Sequence, residues 1–265
     1  MELIRKAGNR GRFYPSSAAE IEKMIREWNQ LAGTEPVIRP EAIVSPHAGY
    51  VYSGFTANTA HRLLPGSKPE RAVVIGPSHH VYLETLSTAP FDAFETPFGY
   101  LPGEKFWADK IMKNFPVEFN ARAHFLEHST ETQFPFLAYY LKDIPTVEII
   151  YGNISPEILT GLIDFVKSVP GTVVIISTDL SHYYPQADAN RLDKHCIDAV
   201  LHRDLRAIVP CEACGKTGLW AVIQAAKEKG WQSIVTGYST SGDITGDYSA
   251  VVGYMGAAFY QSFER

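Results

Sequence analysis

The stretch VIISTDLSH (174–182) decides the fold class. Its apolar run, Val174–Ile176 with the preceding Val173, is β-branched, unbroken and too short for a helix. That is the signature of a strand covered on both faces, as in the parallel sheet of an α/β protein. The run then breaks into Ser177, Thr178 and Asp179 and reaches His182. IVSPHAG (43–49) and VVIGPSHH (73–80) share the format: a short buried-type strand, a small or turn-forming residue, then histidine. In open parallel sheets ligands bind outside the carboxyl ends of the strands. His47, His79 or His80, and His182 with Asp179 are therefore expected to line one pocket at one sheet edge. A single histidine is more often structural than a ligand. Three at equivalent strand ends are not independent accidents, and imidazole serves as metal ligand or general base. Asp179 either orients His182, binds metal itself, or caps the turn after its strand.

Outward from these three runs, further strands are predicted at Ala42–Ser45, Ala72–Ile75, Val147–Tyr151, Thr172–Ser177, Ser233–Tyr238 and Ser249–Tyr254. Amphipathic stretches of helical length alternate with them: Ala18–Ala32, Gly54–Leu64, Lys105–Asn114, Glu131–Leu141, Pro156–Ser168, Ala189–His202 and Leu219–Lys229. Alternation of this kind predicts an α/β fold, a largely parallel or mixed central sheet flanked by helices. No Pro/Ser-rich linker divides the chain, so residues 1–265 are expected to form a single domain.

Lys and Arg total 24 against 29 Asp and Glu, a net charge of −5 without a basic stripe, which argues against nucleic acid. No apolar run reaches the length of a membrane span, and the first residues carry charges where a signal peptide is apolar. Three cysteines do not make a disulfide framework, so free thiols in a reducing cytoplasm are expected.

Two further clusters carry chemistry. EHSTE (127–131) sets Glu127, His128 and Glu131 before the apolar FPFLAYYL. Ser129 there suits a helix cap followed by acids, and Glu127 and His128 suit the pocket wall. CEAC (211–214) has zinc-like spacing without a second ligand pair, but Cys214 precedes an amphipathic stretch, and a cysteine near a helix start gains thiolate character. SGDITGDYS (241–249) reads as turn chemistry, and GRFYP (11–15) as a turn whose Phe13 and Tyr14 pack on the core.

Taken in order, PHAGY (46–50), GPSHH (76–80), EHSTE (127–131), STDLSH (177–182) and CG (214–215) resemble the Memo family, over nearly the whole chain. The short type called the B component of the AmmeMemoRadiSam system is most similar. The resemblance implies a fold like that of class III extradiol dioxygenases, non-haem iron enzymes that open catechol rings. It implies metal ligands at His47, His80 and Cys214, the cysteine replacing a dioxygenase glutamate. His182 corresponds to the acid/base histidine, Asp179 lines the pocket, and His79 becomes a hydrogen-bonded neighbour of the ligands.

Two functions follow from the resemblance. In one, Fe(II) or copper serves a redox enzyme acting on a small molecule or peptide, with His182 and Asp179 moving protons. Thiolate in place of carboxylate alters donor softness, so ring cleavage is not inherited outright. In the other, a vestigial pocket belongs to an accessory module working with a radical S-adenosylmethionine partner. A metal-independent hydrolase using Cys214 and His182 is a third expectation.

Overall fold

Along Thr172–Ser177, Val174 and Ile176 enter one apolar cluster while Val173 and Ile175 enter another, as the two-residue period of an extended chain requires. The same split divides Val44 from Ile43, and Val73 and Ile75 from Val74. These strands are covered on both faces, which is why their sequences show no polar alternation.

A computed structural model describes residues 2–34 and 36–262. The strands are β1 (Ile4–Arg5), β2 (Pro40–Ser45), β3 (Arg71–Pro77), β4 (Leu86–Ser87), β5 (Ala93–Thr96), β6 (Gly99–Pro102), β7 (Thr146–Tyr151), β8 (Thr172–Ser177), β9 (His182–Tyr184), β10 (Gln232–Thr240) and β11 (Val251–Tyr260). The helices are α1 (Ala18–Leu31), α2 (Tyr50–His61), α3 (Lys105–Asn114), α4 (Ala121–Leu126), α5 (Phe134–Tyr140), α6 (Pro156–Lys167), α7 (Gln186–His202), α8 (Lys216–Lys229) and α9 (Gly242–Thr245).

The main sheet runs β10-β11-β2-β8-β3-β7-β4, with β9 added to β11. Its centre, β2-β8-β3-β7, is wholly parallel, while β10, β11 and β4 pair antiparallel, so the sheet is mixed. One face packs on α3, α6, α7 and α8 through Trp107, Leu162, Ala199 and Val222. The other packs on α2, α5 and the small sheet β1-β5-β6 through Ala60, Phe134, Leu137 and Phe94. Outside α2 lies α1, whose Ile21 and Ile25 meet Tyr50.

Several elements depart from expectation. α2 begins at Tyr50, directly after PHAG, not at Gly54. Glu131–Leu141 divides into a 3-10 turn, Glu131–Gln133, and α5. The final strand extends to Tyr260, and SGDITGDYS holds the short α9. The two-residue β1 and the four-residue β5 and β6 are too short for periodicity to reveal them. Cys196 of α7 is disulfide-bonded to Cys211, against the expectation of free thiols, and leaves Cys214 free. Among the described residues no helix is long and apolar enough to cross a membrane.

Candidate metal centre

β2, β8 and β3 lie side by side and run the same way, so their carboxyl ends open at one edge. His47 follows the first, Asp179 the second and His79 the third. The ends are tied together by the backbone: Thr178 N donates to Ser45 O, and Asp179 Oδ1 accepts from His47 N at 2.7 Å. Cys214 arrives at the same edge from the start of α8. Its N–H donates to Asp179 O at 3.3 Å, and its sulfur accepts from Asp179 N at 3.3 Å.

Cys214 Sγ stands 3.3 Å from His47 Nε2. The opposite nitrogen, His47 Nδ1, meets Ser177 Oγ at 2.8 Å. Ser177 has one hydroxyl proton, and it donates that to Ser129 O at 2.5 Å. Towards the imidazole the hydroxyl must therefore accept, which puts a proton on His47 Nδ1 and leaves Nε2 to face the sulfur. His79 is built alike. Its Nδ1 lies 2.8 Å from Glu127 Oε1, whose ionised carboxylate only accepts, so its Nε2 is turned inward.

Charge follows geometry. Burial pushes the Cys214 thiol up, but His47 and His79 outweigh it and bring it down to about 6. Burial pulls His79 down, yet Cys214 and Glu127 together raise it to about 10. Burial works against Glu127 too, but His79 and the N–H groups of His79 and Ser129 hold it at about 2. The result is a row of thiolate, imidazolium and carboxylate. His128 is lowered to about 3 by burial and by the neighbouring His47 ring. Asp179 is raised to about 6, because burial exceeds the help from the His47 N–H and His182.

The structure brings together His47, His79, Cys214, Asp179, Glu127 and His128. Nitrogen atoms of His47, His79 and His128 lie within 4.8 Å of one another. Of the GPSHH pair it is His79, not the expected His80, that borders Cys214. Both are exposed, and His80 meets the outer side of His128, Nε2 to Nδ1, at 3.3 Å. Glu127 decides this, since its carboxylate takes both the backbone and the ring N–H of His79. His182 lies on β9 opposite Val252, near enough to favour the charged form of Asp179. Among the described residues no hydrogen bond joins it to Asp179 or to Cys214, so neither expected pairing forms. Ser129 does not cap a helix; its hydroxyl donates to Pro77 O, and that of Ser177 reaches Ser129 O.

Further residues, of which sequence reasoning passed over Arg5, Asn9 and Gln133, complete the setting. Phe13 stacks on His128 with ring centroids 4.3 Å apart. Gln133 donates to Ser177 Oγ and to Pro46 O. Behind the EHSTE turn, Glu131 accepts from Arg5, Asn9 and Tyr14, and both Arg5 and Asn9 donate to Glu127 O. The local signals were EHSTE, which contained Glu131, and GRFYP, which marked Phe13 and Tyr14 as packed.

Comparison with known proteins agrees with this architecture. The family model described as "Memo-like protein" matches residues 5–258. A MEMO1 family protein of Archaeoglobus fulgidus is 37% identical, over 94% of this chain and 97% of its own. One of Aquifex aeolicus is 34% identical, over 97% of this chain and 99% of its own. Among solved structures, an uncharacterized Escherichia coli K12 protein superposes with a TM-score of 0.52 at 16% identity, covering 82% of this chain and 99% of that one. That likeness concerns the fold alone.

Proposed function

From its place as a member of the Memo-like family, we propose that this chain holds an iron or copper ion between His47, His79 and Cys214 and carries out redox chemistry on a small molecule there. One observation carries the reading: His47, its Nδ1 proton committed to Ser177, presents Nε2 to the Cys214 sulfur at 3.3 Å, and His79, its Nδ1 held by Glu127, is drawn to the same thiolate. Borderline nitrogen with soft sulfur fits iron, copper or zinc and fits magnesium or calcium poorly. Such an ion, when bound, supplies Lewis acidity and one-electron chemistry to a small ligand.

The chain's own groups define what surrounds that chemistry. Ser177 and Glu127 orient the two imidazoles, and Asp179 fixes the loop that carries His47. His182, half-buried at the rim, is placed to exchange a proton with a bound molecule. Phe13 and His128 form one wall.

The test is metal analysis of protein purified without oxygen, compared with Cys214→Ala and His79→Ala. The wild type is expected to retain about one inner iron or copper ion per chain and both variants to lose it. Equal retention by all three would overturn the ligand assignment. A metal-free wild type that co-purifies with a radical S-adenosylmethionine protein would instead favour the accessory module.

A further inference from the structure

Outside the inner pocket, the second histidine of GPSHH has its own geometry. His80 Nε2 and His128 Nδ1 are 3.3 Å apart, and His128 Nδ1 is again 3.3 Å from Glu127 Oε1. A tetrahedral ion with bonds of about 2.0–2.1 Å to nitrogen and oxygen separates its donor atoms by roughly 3.3–3.4 Å. All three donor atoms lie within 4.8 Å of one another. We propose that His80, His128 and Glu127 form a second, outer metal site for a borderline divalent ion such as Zn(II) or Co(II), distinct from the inner thiolate pocket.

Three features support it. The His128 ring is held by stacking on Phe13 at an interplanar angle of 25°, so its Nδ1 is fixed in direction. His80 is exposed, which gives an ion access from solvent. The donor set has two imidazoles and a carboxylate with no sulfur, which suits zinc, cobalt or nickel better than Cu(I). Glu127 Oε1 already accepts from His79 Nδ1 and from the N–H groups of His128 and Ser129, and Oε2 accepts from His79 N. It therefore has little charge left to donate, and the outer site is the weaker and faster-exchanging of the two. Its position suits a staging point, because the His128 ring lies 4.7 Å from that of His79 and 5.4 Å from that of His47.

The test is a Co(II) titration of metal-stripped protein, following metal per chain by dialysis and thiolate-to-cobalt charge transfer by absorption. Wild type is expected to take up two ions, of which only the tighter produces the thiolate band. His80→Ala and the near-isosteric His80→Gln are expected to bind one ion with the band intact. Cys214→Ser is expected to lose the band and keep the outer ion. If both His80 variants bind as much cobalt as wild type, or wild type takes up only one ion and that ion gives the thiolate band, the outer site is overturned. A wild type without the thiolate band whose binding still depends on His80 would leave the outer site standing while defeating the inner one.

Discussion

Ser177 Oγ accepts a hydrogen bond from His47 Nδ1 at 2.8 Å, and this one contact sets which nitrogen of His47 faces Cys214. The hydroxyl is free to accept only because its own proton goes to Ser129 O. Ser177→Ala removes the acceptor while leaving Ser129 O and one Gln133 N–H short of a partner in a buried site. The expected cost is about 1–3 kcal/mol of stability. With His47 no longer held in one orientation, metal affinity is expected to fall about 10–100-fold. Urea unfolding and competition with a chelator measure the two separately. A variant that is destabilised but binds metal as tightly as wild type would show that Ser177 is structural and does not orient the ring.

The row of charges at the pocket predicts how many protons a metal displaces. Cys214, lowered to about 6, is a thiolate above that pH, and His79, raised to about 10, stays an imidazolium below it. In the window between, an ion that takes both groups must expel one proton, from His79 Nε2. Below about pH 6 it must expel two, because the thiol is protonated as well. Affinity should therefore rise about tenfold per pH unit within the window and more steeply on its acid side. Calorimetry in buffers of different ionisation enthalpy counts the protons, and about one per ion is expected near neutral pH. No proton release there would mean that His79 is not a ligand.

Much of this centre was legible because a parallel strand buried on both faces announces itself in a short run of β-branched residues. IVSPHAG, VVIGPSHH and VIISTDLSH sit on the adjacent strands β2, β3 and β8, and their open ends do meet. The mixed sheet and most helices follow from the same periodicity. What sequence did not decide was which histidine of GPSHH turns inward. Both follow the same strand, two and three residues past its end, and the choice rests on Glu127, 48 residues away in sequence from His79. Family resemblance favoured His80, and the carboxylate contact places His79 at the sulfur. In the same way CEAC hid the pairing of Cys211 with Cys196, which lies 15 residues back on α7. Long-range polar partners leave no local pattern to read.

Arg5 illustrates that point and carries a prediction. It is 2% exposed, and it bonds Glu131 at 2.8 Å, Glu148 at 3.3 Å and Glu127 O at 3.0 Å. Replacing it with Met leaves buried Glu131 without its cation and Glu148 with His124 alone, which is expected to cost about 3–5 kcal/mol. Because Arg5 also holds the backbone of Glu127, the turn that orients His79 should loosen. Arg5→Lys restores the charge but not the fork, so it should recover only part of the stability. Chemical denaturation of the three proteins measures this, and a loss below about 1 kcal/mol in Arg5→Met would show that the network is not a brace.

Gly215 tests the placement of Cys214 without touching a donor atom. Its N–H donates to Thr178 Oγ1 at 2.8 Å, drawing the start of α8 tight against the end of β8. A Cβ at this position would stand 2.5 Å from Thr178 Cβ, 2.6 Å from Thr178 Oγ1 and 2.8 Å from Ser177 O. The last of these is backbone in a central strand and has little room to yield. The φ of −98° is open to any residue, so the obstacle is space and not backbone strain. In Gly215→Ala the helix start must move outward, carrying Cys214 away from His47 Nε2. Overpacking of this kind is expected to cost about 1–3 kcal/mol. The more telling effect is on the sulfur, whose low thiol pKa depends on the two imidazoles. The pH at which Cys214 becomes reactive to iodoacetamide in metal-free protein should rise from about 6 toward that of an ordinary thiol. An unchanged alkylation profile in a destabilised Gly215→Ala would show that the sulfur stays with its imidazoles when the helix start moves, and that α8 does not set its position.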